Sequence, residues 1–205
     1  MATEQGENGD EPVEPGRRVP VLSARFRSGV GLVWGCAALL TWGPLASAEV
    51  LLTEKAALAR AFPGQAVDRR TLYLKPEQVS AVEKAARSKL PSAVVTVFVA
   101  RSGEKVTGRA VLDTHIVRTM PESLLTVIEP DGRLRMALVL QFGEPPDYLP
   151  REGWLETLEG RLLDDQLWPG RGVRRVTGAT LTVQALTEAL RRSLALDRIV
   201  LGAQP

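Results

Sequence analysis

Three threonine hydroxyls crowd the segment Val176-Thr177-Gly178-Ala179-Thr180-Leu181-Thr182. An amphipathic helix is expected directly after it, because Val183, Leu186, Leu190 and Leu194 fall at steps of three and four. Gln184, Glu188, Arg191 and Arg192 fall elsewhere around it, with Glu188 and Arg192 spaced as an i,i+4 pair. A helix start presents unpaired N–H groups and partial positive charge, which suits a phosphate. Gly178 and Ala179 let backbone approach closely, and Thr182 has the side chain of an N-cap. Two readings follow from these residues: a phosphate site, or a Thr-capped helix after a glycine turn.

The string Thr177-Gly178-Ala179-Thr180 resembles the Ser/Thr-Gly-Ala-Thr flavinylation motif of the FMN-binding domain family, to which subunits of sodium-translocating NADH:quinone reductase and of the Rnf complex belong. A looser likeness lies upstream. Glu144-Pro145-Pro146-Asp147 follows an apolar strand ending at Phe142, where the family carries Glu-Thr-Pro-Gly. The segment from Trp154 to Arg161 follows in place of the family's short helix and Gly-Lys pair. Arg174 stands where the family usually has Asp.

The resemblance spans Lys105 to Leu196 and implies an FMN-binding-domain-like fold. It implies FMN joined by a phosphoester to Thr180, among Thr177, Gly178, Ala179, Leu181 and Thr182, and installed from FAD by a flavin transferase. Thr180 is then a modification site, and no residue is assigned a catalytic role. The isoalloxazine ring needs an apolar slot with a few polar groups, to be supplied by the sheet and the loop holding Glu144 and Tyr148. The implied role is electron relay for a membrane redox complex. An FMN-binding regulatory or sensory domain, or a phosphate-binding envelope adaptor without flavin, are the alternatives.

Other chemistry is poorly served. His115 is the only histidine; it follows Asp113 and Thr114, and is expected at a strand end with hydrogen-bonded neighbours. No Gly-x-Ser-x-Gly elbow accompanies it. One histidine and no cysteine in the body argue against a metal site, and Asp164-Asp165 reads as a solvated loop. Trp154 and Trp168 are expected in the core or at an interface. A net charge of +2 with no basic, aromatic-interleaved stripe argues against nucleic acid.

The 205 residues are 44% hydrophobic and 24% charged, which predicts a globular core. Residues 1–28 are expected to be disordered: acidic at first, then carrying Arg17, Arg18, Arg25 and Arg27. Residues 29–48 hold an apolar run closed by Ala46-Ser47-Ala48, the pattern of a signal peptide or of a membrane anchor. Either places the body in the periplasm or at the outer face of the cytoplasmic membrane. The only cysteine, Cys36, lies in that run.

Residues 49–92 are expected to be a helical part of the domain, with a Thr53-capped helix to Ala61 and a second from Pro76 that Pro91 ends. Residues 93–200 are expected to form the FMN-binding domain that the resemblance implies. Strands are expected over Ala93–Ala100, Lys105–Asp113, Glu122–Glu129 and Leu134–Phe142. In the last, Leu134, Met136, Leu138, Leu140 and Phe142 share one face, so one side of the sheet should be buried and the other partly wet. Short connections between strands, with helices at both ends, predict an α+β fold whose antiparallel sheet is flanked by helices.

Overall fold

A computed structural model describes residues 48–202 apart from Glu152; the polar region 1–28 and nearly all of the apolar run after it lie outside the described residues. The fold is α+β. Its strands are β1 (Glu49–Val50), β2 (Ala66–Tyr73), β3 (Val94–Ser102), β4 (Lys105–Val117), β5 (Met120–Ile128) and β6 (Leu134–Phe142). They form one six-stranded antiparallel sheet in the order β1-β6-β5-β4-β3-β2. Helices α1 (Glu54–Ala61), α2 (Pro76–Ala86) and α3 (Thr180–Leu196) pack on it. Among the described residues no helix is long and apolar enough to cross a membrane.

Turn chemistry explains the meander. Gly103 and Gly132 take positive φ in the β3–β4 and β5–β6 connections. The β4–β5 hairpin turns through Arg118 and Thr119, Arg118 itself being left-handed at φ 54°. Thr53 caps α1 by accepting from the Ala56 N–H at 3.2 Å, as its position predicts. Pro76 opens α2, but the helix stops at Ala86 rather than running on to Pro91. Arg87 is left-handed there, and the Glu83 carboxylate takes the Leu90 N–H at 3.1 Å, ending the turn from within.

One face of the sheet is buried and the other is covered only in part: Thr114 and Ile116 stay exposed there and Leu112, Met136 and Leu138 are half-buried, so a partly wet side remains as expected. On one face Val97, Val111, Leu124, Ile128, Leu134 and Ala137 meet α2 and α3 through Val82, Ala86, Val183, Leu186, Leu190 and Leu194. On the other, Phe98, Ala100, Ala110, Leu125, Val127 and Leu140 meet Ala57, Ala61 and Phe62 from α1 and its C-cap. Register shifts in β5–β6 break the strict alternation of β6, so Leu134 packs toward α3 while Met136, Leu138 and Leu140 pack toward α1. Strands β1 and β2 lie in residues expected to be helical. Most of β2 is exposed, an edge strand with Asp68, Arg69 and Arg70 at its centre, so it lacks the apolar alternation that marks a half-buried strand.

Candidate functional site

The threonine segment ends in a tight turn. Gly178 sits at φ +85°, and a Cβ added there would meet nothing within 4 Å, so open space lies beside the backbone. Helix α3 starts at Thr180, with Ala179 at the cap position and no side chain capping the first N–H groups. The first turn also lacks an acidic residue, leaving the positive end of a 17-residue helix uncovered. Thr177, Gly178 and Thr180 are exposed. Thr182 is not the N-cap its position suggested: it lies inside the first turn and is 1% exposed. Burial decides this, because Ala179, Thr182 and Val183 all face inward and draw the helix start to Thr180.

Six residues into α3, about 9 Å of helix rise, Leu186 forms part of the wall of a cavity of about 350 Å³. Met136 to Val139 of β6 form its floor, and Leu149 to Arg151, Gly153 to Glu156 and Glu159 line the opposite side. Leu51, Leu138, Leu149, Trp154 and Leu155 give it an apolar part; Arg60, Arg151, Glu156 and Glu159 make much of the rest polar. Its size is that of a small-molecule pocket. Trp154 is buried, and its indole N–H donates to the Arg174 carbonyl at 3.0 Å, tying this wall to the loop that leads into Thr177.

Glu144 and Tyr148 come together elsewhere. One Glu144 carboxylate oxygen accepts the N–H groups of Thr119 and Met120 at 3.1 and 3.2 Å, bracing the β4–β5 turn. The Arg118 guanidinium lies 5.0 Å from the centre of the Tyr148 ring. Neither residue lines the cavity. The hairpin turn nevertheless lies at the same end of the molecule as Thr180, since α3 runs down β4 from that end: Ala185 shares a groove with Ile116, Arg192 binds Asp113 and Asp197 binds Arg109. Glu144→Ala is expected to cost about 0.5–1.5 kcal/mol by removing its bonds to the exposed Thr119 and half-buried Met120 N–H groups, read as a lower denaturation midpoint at unchanged m-value. Space is tight beside it, for a Cβ on Gly143 would stand 2.7 Å from the Met120 Cβ.

Beneath α3 lies a chain of buried ionisable groups. Arg192 donates to both Asp113 oxygens at 2.8 Å, Asp113 meets His115 Nδ1 at 2.9 Å, and His115 Nε2 meets Glu122 at 3.0 Å. His115 is therefore inside β4, not at its end, and the strand runs on to Val117. Burial pushes the Asp113 carboxyl up, but hydrogen bonds from Arg192 and His115 outweigh it and hold it low. Burial pushes His115 down, and its hydrogen bonds to the two carboxylates raise it overall. Burial leads in raising Glu122, only partly offset by His115. His115 and Glu122 thus form a coupled buried pair, with both the imidazole and the carboxyl displaced upward.

The sign for stability follows. A raised histidine contributes stability below its unfolded value of about 6.5, and loses it as pH rises through the higher folded value. Glu122 acts in the same direction, whereas Asp113 loses its contribution in acid. With one histidine in the chain, a single imidazole NMR signal is expected to titrate above 6.5. The melting temperature should fall on the alkaline side of that titration, a limb missing in His115→Gln.

Asp164 and Asp165 are structural. The Asp164 carboxylate accepts from the Gln166 and Leu167 N–H groups at 2.9 Å, and Asp165 pairs with Arg87 at 2.8 Å. The Arg191 guanidinium stacks 5.2 Å from the centre of the Trp168 ring and donates to the carbonyls of Ala86, Asp164 and Leu167. The cavity walls at Leu51, Arg60, Arg151 and Leu186 carry no local signal in the chain, and they meet only through the fold. No protein-family model matches this chain, and no curated protein matches it significantly.

Proposed function

We propose that this chain is an extracytoplasmic electron-transfer flavoprotein that carries FMN as a phosphoester on Thr180 and relays electrons for a membrane redox complex. The single observation carrying this is the exposed Thr180 of the Thr-Gly-Ala-Thr string, set at the uncapped start of a helix that also walls a cavity of small-molecule size through Leu186. The residues present fit the group. Thr180 would offer the oxygen, the uncapped first N–H groups of α3 would suit a phosphate held there, and the space beside Gly178 would admit the chain that follows it. The wall formed by Met136, Leu138, Leu149, Trp154 and Leu186 would hold the ring, Leu186 lying about 9 Å of helix rise from Thr180.

Bound flavin would supply the electron chemistry; this chain would supply position, a partly apolar wall and nearby charge. A covalent link has a physical purpose outside the cytoplasm, where a lost flavin has no pool from which to be replaced. Glu144 and Tyr148 serve by holding the hairpin turn at the Thr180 end. The deciding experiment is co-expression with a flavin transferase, followed by intact mass after denaturation and washing. A gain of one FMN less one water is expected, and an unchanged mass would end the proposal.

A further inference from the structure

We propose that Asp113, His115 and Glu122 form a proton-gated latch that seals Glu122 beneath the groove between the end of α2, α3 and β4: the row holds while it carries one proton and opens when that proton leaves. The geometry requires the proton. Both ring nitrogens of His115 face carboxylate oxygens, Nδ1 on Asp113 at 2.9 Å and Nε2 on Glu122 at 3.0 Å. A neutral imidazole donates from one nitrogen only, and an ionised carboxylate only accepts. Without an added proton, one contact therefore sets two acceptors against each other. With it, on the ring or on the Glu122 carboxyl, both contacts are hydrogen bonds.

The contact that fails is the one to Glu122. Asp113 keeps its charge balanced by two bonds from Arg192 at 2.8 Å. Glu122 is 0% exposed, and its second oxygen has no hydrogen-bond partner among the described residues. The other charges around the row are already engaged. On α3, Arg192 also holds Ser88 at 2.8 Å, and Glu188 accepts from Ser88 at 2.9 Å. At the end of α2, Lys89 pairs with Glu83. On β6 the residue opposite Glu122 is the apolar Phe142. A Glu122 carboxylate facing a neutral imidazole therefore has no counter-ion to turn to, and it must be hydrated.

Water reaches it by way of His115. The imidazole lines the groove of about 410 Å³ together with Ser88, Lys89, Glu188 and Arg192, whereas Glu122 does not. Swinging the ring into the groove uncovers Glu122 at the cost of one contact, and the Ser88 bonds that join α2 to α3 border the same space. Burial lowers His115, but its two carboxylate bonds outweigh that and raise it, and burial raises Glu122. Opening therefore belongs to the alkaline side of the usual imidazole titration at about 6.5. The latch does not depend on what Thr180 carries.

The test is hydrogen exchange of the full chain at about pH 6 and about pH 9, corrected for base catalysis, with the imidazole titration followed by NMR. Amides of α3 from Ala185 to Arg192 and of the β4–β5 hairpin should lose at least about tenfold of their protection as the imidazole titrates, while those of β3 keep theirs. Glu122→Gln should hold the latch shut at both values, because its amide N–H donates to the neutral ring and has no proton to lose. Glu188→Gln, in the groove but outside the row, should open as the wild type does. Wild-type protection that ignores the imidazole titration, or an equal alkaline loss in Glu122→Gln, overturns the latch. Should Glu122→Gln fail to fold, the wild-type comparison decides alone.

Discussion

Thr180→Val is expected to abolish covalent flavin entirely, while Thr177→Val and Thr182→Val leave the attachment residue in place. The three hydroxyls lie within one short segment, yet the fold gives them different access. Thr182 is sealed in the core and cannot meet an incoming phosphorus. Thr177 is exposed but precedes the glycine turn, away from the first N–H groups of α3. Thr180 alone combines an exposed oxygen with the helix start. An exposed Thr→Val change at that position costs within about 0.5 kcal/mol, so the variant should melt as the wild type does. Intact mass and fluorescence of the denatured protein are the measurements. A flavin-bearing Thr180→Val protein would sink the assignment.

Asp113→Ala should be the most damaging single change to stability, at about 3–5 kcal/mol, because it leaves a buried guanidinium without its partner. Arg192 is 4% exposed and sends two hydrogen bonds to Asp113 and a third to Ser88. His115 would lose its Nδ1 partner at the same time. This contact also ties α3 to β4 across 79 positions of the chain. The variant should therefore loosen the helix that carries Thr180 before the sheet melts. Urea unfolding gives the loss of stability, and hydrogen exchange along α3 gives its location. Replacing both partners, as Asp113→Leu with Arg192→Met, should recover much of the loss, since no buried charge then remains unpaired. A cost under 1 kcal/mol for Asp113→Ala would show that water reaches Arg192.

Local signals carried much of the architecture. Pro and Gly punctuation, β-branched runs and helical spacing located α1, the start of α2, β3 to β6 and α3, because each is written in neighbouring residues. They failed where the cause was distant. The β2 segment offers charged residues and little alternation, and it becomes a strand only because β3 presents a ladder to it. Arg192 looked like a surface partner for Glu188; that contact exists at 3.9 Å, but the shorter bonds go to Asp113. His115 was visible as the lone histidine, whereas Glu122 became its neighbour only through strand pairing.

The candidate site divides in the same way. The threonine string, its glycine and the helix after it stand in one stretch of chain, so the chain alone offered a phosphate site or a Thr-capped helix, and the choice of Thr180 came from the resemblance of the string. Which threonine faces water, where α3 begins and which side chains wall the cavity were decided by packing. Leu51, Leu138, Trp154 and Leu186 are far apart along the chain and come together only at the edge of β6. Periodicity reports which face of an element is apolar, and it is silent on what that face will meet.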